Sequence, residues 1–202
     1  MDINDDELII KSFTSPTDEN NEYLIIDGDQ AAVIDASKAY EDMKKSLEER
    51  AIGLKYLLVT HGHKSDVQSL KMLKKNFGGT FCFHKKDRDL LRRLDEKFEP
   101  DMFIKDRESL KLKDKTIKVF HTPGHTMGAL CFYIKKADAL FSGNTLLKGK
   151  FAEIWGPNSM RLMIMSLRSL NSIIPPKTIV YPGRGPLTTM KDEAWMFCLN
   201  SQ

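Results

Sequence analysis

Two histidines one residue apart, His61 and His63, follow the apolar run Leu57-Leu58-Val59-Thr60 and precede Ser65-Asp66-Val67-Gln68, which opens a helix. A strand that ends in a polar turn and passes into a helix sets reactive side chains at the edge of a buried sheet. Imidazoles at i and i+2 on such a turn can face one ion. Two are too few for a catalytic zinc site, which takes three protein ligands and leaves one position open. A third stands in His121-Thr122-Pro123-Gly124-His125-Thr126. There Pro stiffens the loop and Gly permits a tight path, so His125 can be aimed. The competing reading is three loop histidines bonded to backbone.

The surrounding pattern is a series of short apolar runs and amphipathic helices. Glu7–Phe13 alternates weakly and reads as an edge strand. Glu22–Ile26 and Ala31–Ile34 flank Asp27-Gly28-Asp29-Gln30, a hairpin signal. A helix is expected over Lys38–Arg50, with Ala39, Met43, Leu47 and Ala51 on its inner stripe. Lys55–Thr60 is the strand that feeds the histidines. The next helix spans Asp66–Phe77, with Val67, Leu70, Leu73 and Phe77 inward and Gly78-Gly79 as its stop. Thr80–His84 reads as a strand. Lys86–Phe98 reads as a helix with Leu90, Leu91, Leu94 and Phe98 on one face. Glu108–Phe120 reads as two strands around Lys113-Asp114. Ala129–Ile134, Ala139–Ser142 and Thr178–Tyr181 are further strands. A helix from Asn158 or Ser159 to Ile173 ends at Pro175-Pro176, and Thr188-Thr189 starts a last helix toward Cys198. Strands followed by β/α units, twice over, imply two sheets face to face with helices outside, in one domain covering residues 1–202.

Composition narrows the function classes. The 31 basic and 28 acidic residues leave a net charge of +3, which gives no global argument for nucleic acid or membrane. The basic concentration Lys71, Lys74, Lys75, Lys85, Lys86, Arg88, Arg92 and Arg93 reads as a solvated face, without the aromatic interleaving that stacks bases. No apolar run approaches the ~20 residues that span a bilayer. The acidic start Met1-Asp2-Ile3-Asn4-Asp5-Asp6-Glu7 is unlike a secretory signal, and a cytoplasmic location is expected. Cys82, Cys131 and Cys198 are too far apart for a CxxC site and read as buried free thiols.

His61-Gly62-His63, the His125 segment, Phe141-Ser142-Gly143-Asn144-Thr145 and Tyr181-Pro182-Gly183-Arg184-Gly185-Pro186 together resemble the metallo-β-lactamase superfamily, and most of all its glyoxalase II-like branch. The resemblance runs from about Tyr23 to Thr189. It implies a four-layer αββα sandwich of the α/β (α+β) class, with the motif loops meeting at one edge. It also implies a first metal at His61, His63 and His125, with zinc expected and iron as the alternative.

The second-metal positions depart from the family's pattern. Ser65 and Asp66 stand where the family has Asp and His. Ser65 with Gln68 reads as a capping box, and Asp66 as an acid favoured in a first helical turn, or as an oxygen ligand or general base. Asn144 replaces the bridging Asp, and a neutral amide does not supply the charge that holds two cations together. Arg184 replaces the last His, and guanidinium does not ligate metal. A second metal is therefore not expected. Arg184 instead offers a cationic fork for a carboxylate or phosphate, or is a surface arginine.

The leading expectation is a single-metal hydrolase of a small ester or thioester, with an anionic substrate as one option. Asp66 would orient water, and Asn144 or Arg184 would face the developing oxyanion. The short stretch after Thr189 argues against glutathione thioesters. A non-catalytic binding protein on the same scaffold is the alternative, and a mononuclear-iron sulfur dioxygenase is a third reading. His84 and His121 read as strand-end histidines. Met160, Met163, Met165 and Trp155 read as core, or as an apolar wall for substrate beside the loop Phe151–Pro157.

Overall fold

The computed structural model describes residues 8–64, 66–154 and 158–198. Its first sheet runs in chain order: β1 (Ile9–Thr14), β2 (Asn21–Asp27), β3 (Gln30–Ile34), β4 (Gly53–Leu58), β5 (Thr80–Phe83) and β6 (Met102–Phe103). The Asp27↔Gln30 pair closes the β2–β3 hairpin over Gly28, whose φ of +57° a side chain would resist. From β3 onward the strands are parallel. Parallel neighbours need crossovers, and these are α1 (Tyr40–Glu48), α2 (Val67–Phe77) and α3 (Arg88–Leu94).

The second sheet has β7 (Ser109–Leu112), β8 (Lys115–His121), β9 (Leu130–Ile134), β10 (Ala139–Gly143), β11 (Ile179–Pro182) and β12 (Thr188–Thr189), in the order β12-β11-β10-β9-β8-β7. β10 and β11 are parallel, joined through α4 (Ser159–Ile173).

Alternation along the strands builds three apolar layers. On β2, Leu24 and Ile26 face α1 and α2, with Met43, Leu47, Leu70 and Leu73 opposite them. Tyr23 and Ile25 face the other way and join Val119, Phe132 and Phe141 of the second sheet. Leu140, Val180 and Cys131 pack outward on Met163, Leu167 and Leu170 of α4. These layers make the chain an αββα sandwich, as expected. β2 has no polar face because both sides are covered, so its apolar run is continuous.

Element ends differ from the sequence reading in four places. The first helix stops at Glu48, and Ala51 sits exposed in the turn beyond it at φ +52°. α3 lasts only seven residues, so Leu94 falls on the solvent side, 54% exposed, while Phe98 re-enters the core and stacks on Phe81 at 5.0 Å. Thr188-Thr189 pairs with Ile179 and Val180 as a strand, in keeping with threonine's β preference, and only a 3₁₀ turn at Ala194–Cys198 follows. Met102–Phe103 adds an edge strand that no periodicity announced. Among the described residues no helix is long and apolar enough to cross a membrane. Cys82 and Cys131 are buried free thiols; the side chain of Cys198, Trp155 and Ser65 lie outside the described residues.

Candidate metal centre

His61 and His63 leave the C-terminal end of β4, and His125 lies in the loop after β8. Asn144 follows β10, and Arg184 follows β11. The two sheets thus deliver the motif loops to one edge of the sandwich. One ligand-capable atom from each of His61, His63 and His125 lies within 4.8 Å of the other two. His61 and His125 are buried, and His63 is exposed. Their rings are nearly perpendicular, at 78–90° with centroids 4.7–5.9 Å apart, as befits lone pairs aimed at a common point.

Hydrogen bonds fix which nitrogen His61 and His125 offer. The Thr60 hydroxyl donates to Asp35 Oδ2 at 2.7 Å. It has one proton, so at 2.9 Å from His61 Nδ1 it accepts, and His61 Nδ1 carries the hydrogen. His61 Nε2 is then bare. His125 Nδ1 lies 2.6 Å from the Glu153 carbonyl, which only accepts, and His125 Nε2 is bare for the same reason. His63 turns Nδ1 toward it at 3.4 Å. Burial lowers the His125 pKa, against the pull of the Glu153 carbonyl, and so favours the neutral ring that ligates metal. Zinc–nitrogen bonds of 2.0–2.1 Å in a tetrahedron imply a nitrogen–nitrogen edge of about 3.3–3.4 Å. The 3.4 Å spacing of His63 and His125 matches that edge, and all three donor atoms lie within 4.8 Å of one another, so the group can close on a zinc-sized ion.

Two buried acids hold these loops. Asp35, at the end of β3, takes the Thr60 N–H and hydroxyl, both at 2.7 Å. Asp87, which is 1% exposed, accepts from Gly62 N–H at 2.9 Å, Thr126 Oγ1 at 2.6 Å and Gly128 N–H at 2.6 Å. One carboxylate therefore ties the His61–His63 loop to the His125 loop. A Cβ on Gly128 would come 2.6 Å from Asp87 Cγ, so the approach needs glycine. The expected role of Gly124 also has a contact behind it: a Cβ there would meet Met163 Cα at 2.7 Å. Sequence reading missed both acids. Asp35 had a signal, as a charge directly ending an apolar run. Asp87 sits in a Lys- and Asp-rich stretch and looks like surface.

The remaining motif residues surround the same cavity of about 360 Å³, which the three histidines share with Asp66, Asn144 and Arg184. Asp66 caps α2, accepting from Gln68 N–H at 3.0 Å and Ser69 Oγ at 2.8 Å. Asp66 is the N-cap of this helix, and the capping expected of Ser65 lies outside the described residues. Asn144 Nδ2 lies 3.4 Å from His61 Nε2 and 3.2 Å from His125 Nε2. Arg184 is exposed at the rim. Its backbone is held firmly: Asn21 Nδ2 donates to the carbonyls of Pro182 and Gly185 at 2.9 and 2.7 Å, and Tyr23 OH to Pro182 at 2.6 Å. A side lobe of about 250 Å³ shares Asn144, Glu153 and Arg184 and is walled by Leu147, Phe151 and Ile154.

The other singled-out residues fall elsewhere. His84 stacks on His121 with centroids 4.2 Å apart. Met163 is core, whereas Met160 and Met165 are exposed. Lys71, Lys74, Arg88 and Arg92 pair with Asp95, Asp101 and Glu99 across neighbouring elements.

Comparison with known proteins bears on the fold and the family. A family model described as ODP family beta lactamase matches residues 19–160. A hydroxyacylglutathione hydrolase of Pelagibacter ubique is 35% identical over 170 residues, 82% of this chain, which spans 66% of that relative's length. The hydroxyacylglutathione hydrolase GloC of Haemophilus influenzae is 30% identical over 87% of this chain and 90% of its own. The BLEG-1 B3 metallo-β-lactamase superposes with a TM-score of 0.80 at 26% identity, covering 92% of this chain and 96% of that one. The TTHA1623 protein, solved in a di-iron-bound form, superposes at 0.76 with 25% identity over 91% and 96%. Sheet order, histidine geometry and relatives agree: the chain belongs to the metallo-β-lactamase superfamily, in its glyoxalase II-like branch.

Proposed function

We propose that this protein is a single-metal hydrolase of a small ester or thioester. The observation that carries the reading is the convergence of three imidazoles, two of them with a bare Nε2, at one wall of an open cavity. Among the described residues no carboxylate or thiolate joins them in a ligand group. Asn144 and Arg184 stand where a second cation would need anionic or imidazole donors, which supports one metal rather than two.

His61, His63 and His125 would hold a zinc or ferrous ion, which would supply Lewis acidity and an activated water near neutral pH. The chain's own residues do the rest. Asp35 and Thr60 keep the proton on His61 Nδ1, and the Glu153 carbonyl keeps it on His125 Nδ1. Asp66 retains acceptor capacity beyond its two capping bonds and can orient water at the cavity wall. Arg184 at the rim can face a developing oxyanion or a substrate carboxylate. The lobe of Leu147, Phe151 and Ile154 suits a short apolar acyl group.

The name carried by the Haemophilus relative, which this chain matches over nearly its whole length, brings glutathione thioesters into the test despite the sequence expectation against them. The decisive experiment measures metal content together with hydrolysis of an aryl acetate, a simple acyl thioester and an acylglutathione. About one zinc or iron per chain and chelator-sensitive turnover, both lost in His125→Ala, are expected. A purified protein that takes up no metal after zinc or iron incubation sinks the proposal.

A non-catalytic binding protein remains as a second reading because Arg184 adds an exposed cation to the cavity rim. Arg184→Leu with unchanged binding of small carboxylates would remove the anion-binding role.

A further inference from the structure

Asn144 carries an inconsistency that a metal ion resolves. Its Nδ2 donates toward two bare imidazole nitrogens, His61 Nε2 at 3.4 Å and His125 Nε2 at 3.2 Å. Its Oδ1 is buried and has no hydrogen-bond partner among the described residues. A buried amide oxygen without a donor costs about 1–3 kcal/mol, and native folds rarely leave one.

The oxygen lies toward the β10–β11 junction. A Cβ built on Gly183 would come within 2.9 Å of it and within 3.0 Å of the Gly143 carbonyl oxygen. That carbonyl is an acceptor, already engaged by Gly183 N–H at 2.7 Å. The amide oxygen therefore lies on the side of this carbonyl with no donor recorded for it, and the NH₂ lies where the site gathers lone pairs. A carboxamide keeps its shape when turned over by 180°, which exchanges oxygen and NH₂.

Turned over, Oδ1 faces the histidines and NH₂ faces the backbone carbonyls. The position vacated by Nδ2 stands 3.4 Å from His61 Nε2 and 3.2 Å from His125 Nε2, and His63 Nδ1 stands 3.4 Å from His125 Nε2, which makes three of the six edges of a four-ligand set. These are edges of about the length a zinc tetrahedron requires.

We infer that Asn144 is the fourth protein ligand of a single metal through its amide oxygen. The inference rests on the one-metal reading above and goes beyond it by naming the ligand set as three imidazoles and one neutral amide. Such a set adds no charge to the ion, which suits one cation and not a bridged pair. Four protein ligands close the position that a three-ligand catalytic site leaves open, so hydrolysis on this set would require the ion to expand to five-coordination. The donor-side contacts alone predict the opposite: an amide that only occupies the lone pairs competes with metal.

That difference in sign makes the test. Zinc affinity is measured by competition with a chromophoric chelator on wild type, Asn144→Ala and Asn144→Asp, each checked for an unchanged melting profile in the metal-free form. The backbone bond from Ala152 N–H to the Asn144 carbonyl does not depend on the side chain. The expected result is zinc binding weakened about tenfold or more in Asn144→Ala, and tightened in Asn144→Asp, where a carboxylate oxygen replaces the amide. Cobalt-substituted wild type and Asn144→Ala should also differ in their visible spectra, because the alanine variant loses a protein ligand.

Equal or tighter zinc binding in Asn144→Ala overturns the inference while leaving a three-histidine metal site intact. Failure of wild type itself to bind zinc overturns the proposed function as well, so the two outcomes are distinct.

Discussion

The chain has five histidines, and the fold sorts them into two groups at neighbouring loop ends. His61, His63 and His125 meet edge to face, with rings at 78–90°. His84 and His121 lie one on the other, 4.2 Å apart and only 20° from parallel. Lone pairs lie in the ring plane, so perpendicular rings can converge on one point while stacked rings send theirs along parallel planes. The second pair is also spent on backbone: His121 Nε2 donates to the Met127 carbonyl at 2.9 Å, and His84 Nδ1 accepts from Lys86 N–H. Residue type alone does not make a metal site. The loops must hold the rings apart and the backbone must leave the right nitrogen bare.

The largest expected effect breaks this division outright. His125→Ala should take zinc content after gel filtration from about one per chain to near none. His84→Asn and His121→Asn should leave it unchanged. Loss of zinc in either of the latter would mean that the stacked pair belongs to the centre.

Next is the carboxylate that holds the convergent group in place. Asp87→Ala leaves Gly62 N–H, Gly128 N–H and the Thr126 hydroxyl without their acceptor in a buried setting. At about 1–3 kcal/mol for each orphaned group, with partial relaxation, the loss should be about 3–5 kcal/mol in a denaturant melt. Asp87→Asn keeps the shape and one acceptor oxygen and should lose less. Zinc affinity should fall in both, because the two histidine loops share this anchor. A melt unchanged in Asp87→Ala would show that the loops are held by other contacts.

Much of this was legible in residue order and spacing. The two strand-then-helix cycles gave the layers, because each apolar run had to be buried on both faces and each helix showed one stripe. The three histidines stood out because HxH and Pro-Gly-His sit at strand ends, where a sheet delivers side chains to one edge. The supports did not stand out. Asp87 and Asp35 act through contacts with loops 25–41 residues away along the chain, and no local pattern encodes those distances. Short elements failed for a related reason. Thr188-Thr189 follows a Pro-rich loop and starts a helix on local grounds, yet the free edge of β11 captures it.

A smaller effect sharpens the contrast at His61. Thr60→Val keeps size and strand preference but removes the hydroxyl between Asp35 and His61 Nδ1. The proton on Nδ1 then loses its acceptor, and both ring nitrogens can carry it. Partners of this kind are worth roughly ten- to a hundredfold in metal affinity, and the lower end is expected here because His63 and His125 are untouched. Nitrogen-15 chemical shifts of the His61 ring report the tautomer directly. A ring that stays protonated at Nδ1 in Thr60→Val would assign that control to another group.

The smallest effect concerns the stacked pair, whose position implies a cost in acid. Burial, then the neighbouring His121, lowers the His84 pKa to about 4, against the opposing pull of Asp87 and Asp106. In the unfolded chain the same ring titrates near 6.5. As pH falls from about 6.5 to 4 the unfolded state takes up this proton and the folded state does not, so stability declines across that window. Above pH 6.5 both states are neutral at this ring and its contribution is flat. The amount attributable to His84 should be about 1–2 kcal/mol. His84→Asn keeps an acceptor for Lys86 N–H and removes the titration, so its unfolding free energy should fall less steeply between pH 6.5 and 4 than that of wild type. Equal slopes in the two proteins would mean that His84 takes its proton in the folded state near its ordinary pKa, and that stacking against His121 does not keep it neutral.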